Sequence, residues 1–440
     1  MTIKGLDPNV LSQVRSQKPP HFKLEKVIRK NILNLEPYRC ARDDYQQGIL
    51  LDANENSLGH SLPQNSSIPH DKPSTTTNGS SSSSSTPIKG SGSDDDLSLH
   101  RYPDPSLHGI KSSLAKLRRV PNQDFICLGV GSDEILDLIQ RCCANPGKDK
   151  ILICPPTYGM YSVCAAVNDV EVVKVPLITE GGRFSLDVER VNQVLSQDPA
   201  IKLVFLCSPG NPTGTLLPLS DVVPILENPK YDGIVVVDEA YIDFAEEERN
   251  MGRRDPSVEV SAVSLVDQYQ NLLVTQTLSK AFGLAAIRLG IAFGQPPLIQ
   301  IMNNTKAPYN ISVPTAHLAS LALSEKGLEK MRANVRTLIR NRDELIRDLS
   351  TVKGCGEVLG SNQANFVLVR ILDPQGKPSN EVAQSVYRRM AEERGLVVRN
   401  RSKDLGCDAC LRITVGTKEE NERCISLMKQ LLENDGQWTD

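Results

Sequence analysis

Lys280 is the residue whose surroundings in the sequence most favour covalent chemistry. It lies in the stretch TLSKAFG (277–283), and Arg288 follows eight positions after the lysine. An amine that lies beside other cations and is partly removed from water loses proton affinity, and it can then attack an aldehyde to form a Schiff base. Thr277, Ser279 and Arg288 add two hydroxyls and a guanidinium, which together can bind a phosphate. By itself, a motif this short is more typical of a solvated lysine in a loop.

Asp238, Tyr241 and Asn211 follow strand-like runs elsewhere in the chain. Asp238 comes directly after the apolar run IVVV, with Tyr241 three positions later, and Asn211 lies in SPGNPTG after another apolar run. Together with the lysine and the arginine, we expect these residues at the C-terminal ends of strands. Taken alone, Asp238 can also be the cap of a helix, and Asn211 is as typical of a turn before proline.

The segments that must position these residues alternate between strands and helices from residue 125 onward. Strands are predicted at residues 125–128, 150–154, 170–175, 203–207 and 233–237, and helices at 132–143, 158–168, 186–195 and 219–226. This alternation indicates an α/β fold with a mostly parallel sheet and helices on both faces. Ligands bind beyond the carboxyl ends of the strands in such sheets, which is where the polar residues above are predicted to lie.

The segment GVGSDE (129–134) lies at the first of these junctions between strand and helix. It lacks the third glycine of a dinucleotide fingerprint and the Gly-Lys pair of a Walker loop. The backbone amides of Ser132 and Asp133 at the start of the helix are therefore predicted to bind a single phosphate ester.

The remaining regions set the domain organisation. Residues 22–35 have helical apolar spacing, and residues 57–98 are rich in serine and too poor in apolar residues to bury a core, so we expect a disordered insert there. A helical pattern at 313–349 leads to predicted strands at 366–370, 397–399 and 411–415 and helices at 379–394 and 418–433. The predicted units are an N-terminal arm with part of a small domain (1–56), the insert (57–98), a large domain (99–330) and a small α+β domain (331–440).

The composition excludes several classes of protein. At 440 residues with 39% apolar and 23% charged residues, the chain is typical of a globular protein with more than one domain. A net charge of -3 and the lack of a long apolar run predict neither nucleic-acid binding nor membrane attachment. Eleven cysteines are too few for a disulfide scaffold, and Cys407 and Cys410 have no second pair beside them, so no metal site is expected. A cytoplasmic location is predicted, and the basic residues Lys4, Arg15 and Lys18 leave a weak organellar signal open.

Four further motifs connect these observations to a known family. They are LDANEN (51–56), RYP (101–103), CPPTYGMY (154–161) and LRITVGT (411–417). With the lysine, aspartate and asparagine motifs, the chain resembles the pyridoxal-phosphate enzymes of the aspartate aminotransferase fold and, more narrowly, the histidinol-phosphate aminotransferases. The resemblance implies fold type I, with a mostly parallel seven-stranded sheet between helices in the large domain. It also implies a homodimer in which the N-terminal arm reaches the partner.

The resemblance assigns roles to residues that bind pyridoxal 5'-phosphate. Asp238 would pair with the ring nitrogen, and Asn211 and Tyr241 would donate hydrogen bonds to the phenolic oxygen of the ring. Tyr158 would cover the ring, and Lys280 would carry the cofactor and then move a proton. The residues implied at the cofactor phosphate are Ser132, Asp133, Thr277, Ser279, Arg288 and, from the partner subunit, Tyr102. Those implied on the substrate side are Arg412, Arg399, Asn54 and Tyr38.

The activity implied by the resemblance is amino transfer by a ping-pong route. The amino group would pass between L-histidinol phosphate and 2-oxoglutarate, giving imidazole acetol phosphate and glutamate in histidine biosynthesis. Alternatives with the same cofactor residues are a decarboxylase of phosphorylated amino acids and an aromatic aminotransferase. A cofactor-binding regulatory or scaffold protein without turnover is a further alternative from another class.

Overall fold

The computed structural model describes residues 3–37 and 97–434. The larger of its two sheets has seven strands. These are β1 (Ile126–Val130), β2 (Lys150–Ile153), β3 (Glu171–Lys174), β4 (Ile201–Cys207), β5 (Ile234–Asp238), β6 (Leu272–Thr277) and β7 (Leu289–Gly294). Their spatial order is β1-β7-β6-β5-β4-β2-β3, and only β7 runs antiparallel to its neighbours. The predicted α/β class with a mostly parallel seven-stranded sheet is confirmed.

Helices cover both faces of this sheet. In chain order the helices are α1 (Leu24–Val27), α2 (Lys30–Leu33), α3 (His108–Arg118), α4 (Gly131–Cys143), α5 (Met160–Val167), α6 (Val188–Gln197), α7 (Leu219–Leu226), α8 (Ile242–Asn250), α9 (Pro296–Thr305), α10 (Val313–Ala322), α11 (Glu325–Leu349), α12 (Asn380–Glu392) and α13 (Lys418–Lys429). Every residue of β5, β6 and β7 is buried, because the helices exclude water from both sides of the central strands.

The prediction of one helix at residues 22–35 is wrong. The segment forms the two short helices α1 and α2, and Ile28 and Arg29 between them have extended backbone angles. Val27 and Ile28 are both buried beside α4 and α9. Neighbouring positions on one continuous helix point about 100° apart, so the break lets both side chains reach the same core.

A second sheet lies in the C-terminal part of the chain. It has four antiparallel strands, β8 (Cys355–Leu359), β9 (Phe366–Ile371), β10 (Arg399–Asn400) and β11 (Cys410–Thr414), in the order β10-β11-β9-β8. The strand predicted at 397–399 instead begins at Arg399. The helical pattern predicted at 313–349 is two helices, because the side chain of Ser324 accepts a hydrogen bond from the backbone of Gly327 and starts α11.

Charged pairs join α8, which begins directly after Tyr241, to α11. Glu247 lies 2.5 Å from Arg336, and Glu248 pairs with Arg342, whose side chain is almost completely buried. Because α11 leads from the large sheet to the small one, these pairs connect the two parts of the molecule.

Several predicted features lie outside the described residues. They are Tyr38, Asn54 and positions 57–96 of the serine-rich insert. None of the helices in residues 3–37 and 97–434 is both long and apolar enough to cross a membrane.

Candidate active site

A cavity of about 550 Å³ opens at the carboxyl edge of the large sheet, where the small sheet faces it. It brings together twelve of the residues predicted from the sequence: Ser132, Asp133, Tyr158, Asn211, Asp238, Tyr241, Thr277, Ser279, Lys280, Arg288, Arg399 and Arg412. These residues come from positions spread over most of the chain. The fold therefore makes one site from groups that are remote in sequence.

The strand ends explain how these residues meet. Asp238 is the last residue of β5, and Asn211 and Lys280 lie in the loops that follow β4 and β6. Arg288 is different, because it precedes β7 instead of following a strand. Since β7 is antiparallel to β6, the start of β7 lies at the same edge as the C-terminal ends of the parallel strands. The expectation that Arg288 follows a strand is therefore wrong, although Arg288 lies at the expected edge of the sheet.

Asp238 is a buried carboxylate with a hydrogen bond to each oxygen. Tyr161 donates to Oδ2 at 2.7 Å, and Thr275 donates to Oδ1 at 3.0 Å. Burial raises the pKa of Asp238, and the two hydrogen bonds oppose that rise because they favour the ionised form. A carboxylate held in this way can pair with a protonated nitrogen of a ligand.

Sequence reasoning missed Tyr161 and Thr275. Tyr161 lies three positions after the predicted Tyr158, and this spacing would have placed both on one side of a helix. Thr275 is the register partner of Asp238 on the neighbouring strand, and such a pairing is known only once the sheet order is known.

Lys280 lies in the environment expected of a nucleophilic amine. Burial lowers the pKa of Lys280, the positive charges of Arg412 and Arg288 lower it further, and Asp133 and Asp238 partly oppose them. The amine nitrogen lies 5.8 Å from the centre of the Tyr241 ring. A larger fraction of such a lysine is unprotonated near neutral pH than of a solvated lysine.

The first turn of α4 and Arg288 form one end of the cavity. Arg288 Nη2 lies 3.3 Å from Asp133 Oδ2, and the Tyr158 hydroxyl donates to Asp133 Oδ1 at 3.0 Å. Gly131 has φ +72°, and a Cβ atom at this position would lie 2.6 Å from Arg288 Nη2. The glycine thus leaves room for the guanidinium beside the start of the helix. Amides at a helix N-terminus together with an arginine are suited to binding an anion.

Arg412, on β11, lines the end of the cavity that the small sheet forms. Its Nη1 donates to Asn211 Oδ1 at 2.5 Å, and its guanidinium carbon lies 5.2 Å from the centre of the Phe366 ring. Phe366 also packs edge-on against Tyr241 at 5.3 Å. These contacts orient the guanidinium and link it to the residues around Lys280.

Two further residues bear on the sequence expectations. Arg401 lines the cavity beside Arg399 and Arg412, although the sequence did not single it out. Tyr102 lies outside the cavity of its own chain, with a half-exposed ring that stacks on Tyr309 at 4.8 Å.

The site fits a flat heteroaromatic phosphate ester that carries a reactive carbonyl. The buried carboxylate of Asp238 matches a basic ring nitrogen, and Arg288 with the start of α4 matches a phosphate. Lys280 offers the amine that can react with a carbonyl. No group of three or more potential metal ligands is present in the ranges that the structure describes.

The chain is similar to known proteins over most of its length. Residues 78–427 match the model of the family described as aminotransferase class I and II. A histidinol-phosphate aminotransferase of Schizosaccharomyces pombe is 45% identical, with 94% of this chain and 98% of the relative covered. The histidinol-phosphate aminotransferase of Saccharomyces cerevisiae is 41% identical, over 93% of this chain and 98% of the relative.

The solved structures show the same fold. The crystal structure of histidinol-phosphate aminotransferase from Sinorhizobium meliloti in complex with pyridoxal-5'-phosphate has a TM-score of 0.65 and 22% identity. The similarity covers 76% of this chain and 83% of that chain.

Proposed function

Because this chain belongs to the class I and II aminotransferase family, we propose that it transfers an amino group between L-histidinol phosphate and 2-oxoglutarate with pyridoxal 5'-phosphate as cofactor. The observation that carries this proposal is the convergence of Lys280, Asp238, Arg288 and Arg412 in a single cavity. The choice of substrate is supported by relatives that are named histidinol-phosphate aminotransferases and are similar to this chain over nearly its full length.

The residues of the cavity can hold the cofactor without rearrangement of the strands. The ionised Asp238 would accept a hydrogen bond from the protonated ring nitrogen, while Asn211 and Tyr241 would donate hydrogen bonds to the phenolic oxygen. Tyr158 covers one face of the ring, and its hydroxyl is fixed by Asp133. When bound, pyridoxal phosphate supplies a ring that accepts electrons and so lowers the barrier to proton loss from the substrate carbon.

The cofactor phosphate is proposed to bind at the start of α4. The backbone amides of Ser132 and Asp133 and the guanidinium of Arg288 supply its donors. Ser279 adds a hydroxyl donor from the connection after β6. The hydroxyl of Thr277, which donates to Ser279 Oγ at 2.8 Å or to Leu289 O at 3.1 Å, holds this connection in place beside the phosphate site.

Lys280 is proposed to carry the cofactor and then to transfer the proton. When its amine is free, Lys280 would be placed to take the proton from the substrate carbon and to give it back as a general acid. The lowered pKa of Lys280 favours the unprotonated form that this first step requires.

Arg412 is proposed to bind the anionic group of each substrate, with Arg399 beside it. A guanidinium pairs equally well with a carboxylate or a phosphate, so one residue serves glutamate and the phosphate ester in turn. Since the amino donor and the amino acceptor use the same cavity one after the other, the kinetics are expected to be ping-pong.

The assembly and the location of the protein are further parts of the proposal. We infer a homodimer in which Tyr102 and the N-terminal arm complete the site of the partner, since Tyr102 lies outside the cavity of its own chain. The domain limits given above and a cytoplasmic location are part of the same proposal.

A spectrum of the purified protein tests the proposed function directly. Addition of L-histidinol phosphate should convert the bound cofactor to its amine form in one half-reaction, and 2-oxoglutarate should restore it. Release of carbon dioxide from a phosphorylated amino acid would instead indicate the decarboxylase, and a bound cofactor without turnover would indicate the regulatory alternative.

Two lysine variants make this test specific. Lys280→Ala should lose turnover and the absorbance of cofactor attached to the protein, whereas Lys326→Ala, at an exposed position on α11, should retain both. An unchanged spectrum in Lys280→Ala would contradict the role given to this lysine.

A further inference from the structure

We propose that Arg401 is a specificity-determining residue that selects a doubly charged phosphate ester over a singly charged carboxylate at the Arg412 end of the cavity. This inference rests on the proposed function and names a residue that the sequence motifs did not indicate. Arg401 lines the same cavity as Arg399 and Arg412.

The geometry of the small sheet places the three arginines on one face. Arg399 on β10 is the register partner of Arg412 on β11, and directly paired residues point to the same side. The backbone N–H of Arg401 donates to Cys410 O, which continues this pairing beyond β10. Because side chains alternate along a strand, Arg401 shares the face of Arg399, two positions before it.

Asp404 orients the guanidinium of Arg401. Arg401 Nε lies 2.6 Å from Asp404 Oδ2, and the backbone N–H of Asp404 donates to Arg401 O at 2.9 Å. A carboxylate that contacts Nε leaves both Nη groups available for a forked contact with an oxyanion. The turn therefore presents Arg401 as a pre-oriented donor.

The charges of this cluster match a dianion. Three guanidinium groups and the carboxylate of Asp404 leave two positive charges around the end of the cavity. Burial lowers the pKa of Arg412, and the positive charges of Arg401 and Arg399 lower it further, so the arginines repel one another when no anion is bound. A phosphate monoester carries about two negative charges at neutral pH, whereas a carboxylate carries one. The phosphate thus relieves repulsion that a carboxylate relieves only in part.

The test compares two amino donors on the holoenzyme. In Arg401→Gln, kcat/KM for L-histidinol phosphate should fall by about ten- to a hundredfold, because a charge-assisted hydrogen bond to the phosphate is lost. The value for L-glutamate should change by less than about threefold, since Arg412 still binds its carboxylate. Arg401→Lys keeps the charge without the fork and should give a ratio of the two values between those of Arg401→Gln and the unmodified enzyme.

Lys403→Gln is the matched control. It removes one positive charge from an exposed position in the same turn, outside the cavity, and should leave the ratio unchanged. An unchanged ratio in Arg401→Gln would overturn the proposal. Arg401 would have only a structural role if kcat/KM fell equally with both donors, and no role if neither value changed. If the unmodified enzyme did not accept L-histidinol phosphate, the proposed function itself would be wrong. This outcome is distinguishable because it is measured before any variant is made.

Discussion

The hydroxyl of Tyr161 donates a 2.7 Å hydrogen bond to Asp238 Oδ2, and both side chains are buried. Burial raises the pKa of Tyr161 well above its ordinary value, so the phenol stays a neutral donor at any working pH. This hydrogen bond favours the ionised form of Asp238, which is the form that can hold a proton on the cofactor ring.

Tyr161→Phe should therefore lower kcat with both amino donors by about ten- to a hundredfold, with little change in KM. The ring of Tyr161 stacks on Phe205, and the variant keeps that contact. The measurement is steady-state kinetics together with the absorbance of the bound cofactor as a function of pH. Tyr231→Phe is the control, since Tyr231 is equally buried and its hydroxyl donates to a backbone carbonyl away from the cavity. Equal effects of the two changes would contradict a specific role for Tyr161.

Arg412→Lys should raise KM for L-glutamate and L-histidinol phosphate alike by about ten- to a hundredfold. A lysine cannot both donate to Asn211 and offer a fork to the substrate while lying over Phe366. Kinetics with each donor check this, and Arg370→Lys, on the same small sheet but paired with Glu357, is the control. A loss confined to one donor would show that Arg412 does not serve both.

Gly131→Ala should weaken cofactor binding by about tenfold or more, because the added methyl group would displace the guanidinium of Arg288. The positive φ of Gly131 adds backbone strain to this clash. Equilibrium titration of the apoprotein with pyridoxal phosphate measures the effect. Gly109→Ala on α3, where a Cβ meets nothing within 4 Å, should bind cofactor normally. Normal binding by the Gly131 variant would remove the argument for Arg288 as a phosphate ligand.

Glu239 should make the protein less stable as the pH rises toward neutrality. Burial raises the pKa of Glu239 from 4.5 to about 7, although Ser261, Ala262 and Gln276 all donate hydrogen bonds to its carboxyl group. The native state thus holds a proton that the unfolded state has lost between these pH values, and the free energy of unfolding decreases across that window.

The expected decrease is on the order of 3 kcal/mol at most. Denaturant unfolding of the apoprotein between pH 5 and 8 measures it, and Glu239→Gln should flatten this part of the profile. The same pH dependence in both proteins would show that other groups cause it.

The sequence predicts the large sheet and most of the cavity for one physical reason. Apolar runs that end in Asp238, or just before Asn211 and Lys280, are strands whose carboxyl ends must meet if the sheet is parallel. Tyr161, Thr275 and Arg401 escape such reasoning, because Tyr161 and Thr275 act through Asp238 and Arg401 reaches the cavity only through the pairing of the small sheet. Their positions depend on strand register and helix orientation, which periodicity does not reveal.

The errors in the N-terminal segment and in the long helical pattern have a similar origin. Apolar spacing at residues 22–35 and 313–349 is compatible with one helix each. A tertiary contact, the burial of both Val27 and Ile28, interrupts the first helix, and a local one, the cap at Ser324, interrupts the second. Arg288 shows the converse case, because it lines the cavity as expected but lies at the start of a strand instead of at the end of one.

The reversal of the chain between β6 and β7 has a consequence for mutation by insertion. Thr277 pairs with Gly290, so Lys280 and Arg288 are held at fixed places within one turn of the backbone. Insertion or deletion of one residue between them could be accommodated by a shift of one residue in the register of β7 against β6. Such a shift would turn every side chain of β7 to the opposite face of the sheet. The distance between amine and guanidinium is thus encoded in the length of this connection, which should accept replacement of residues 284–286 far more readily than any change in their number.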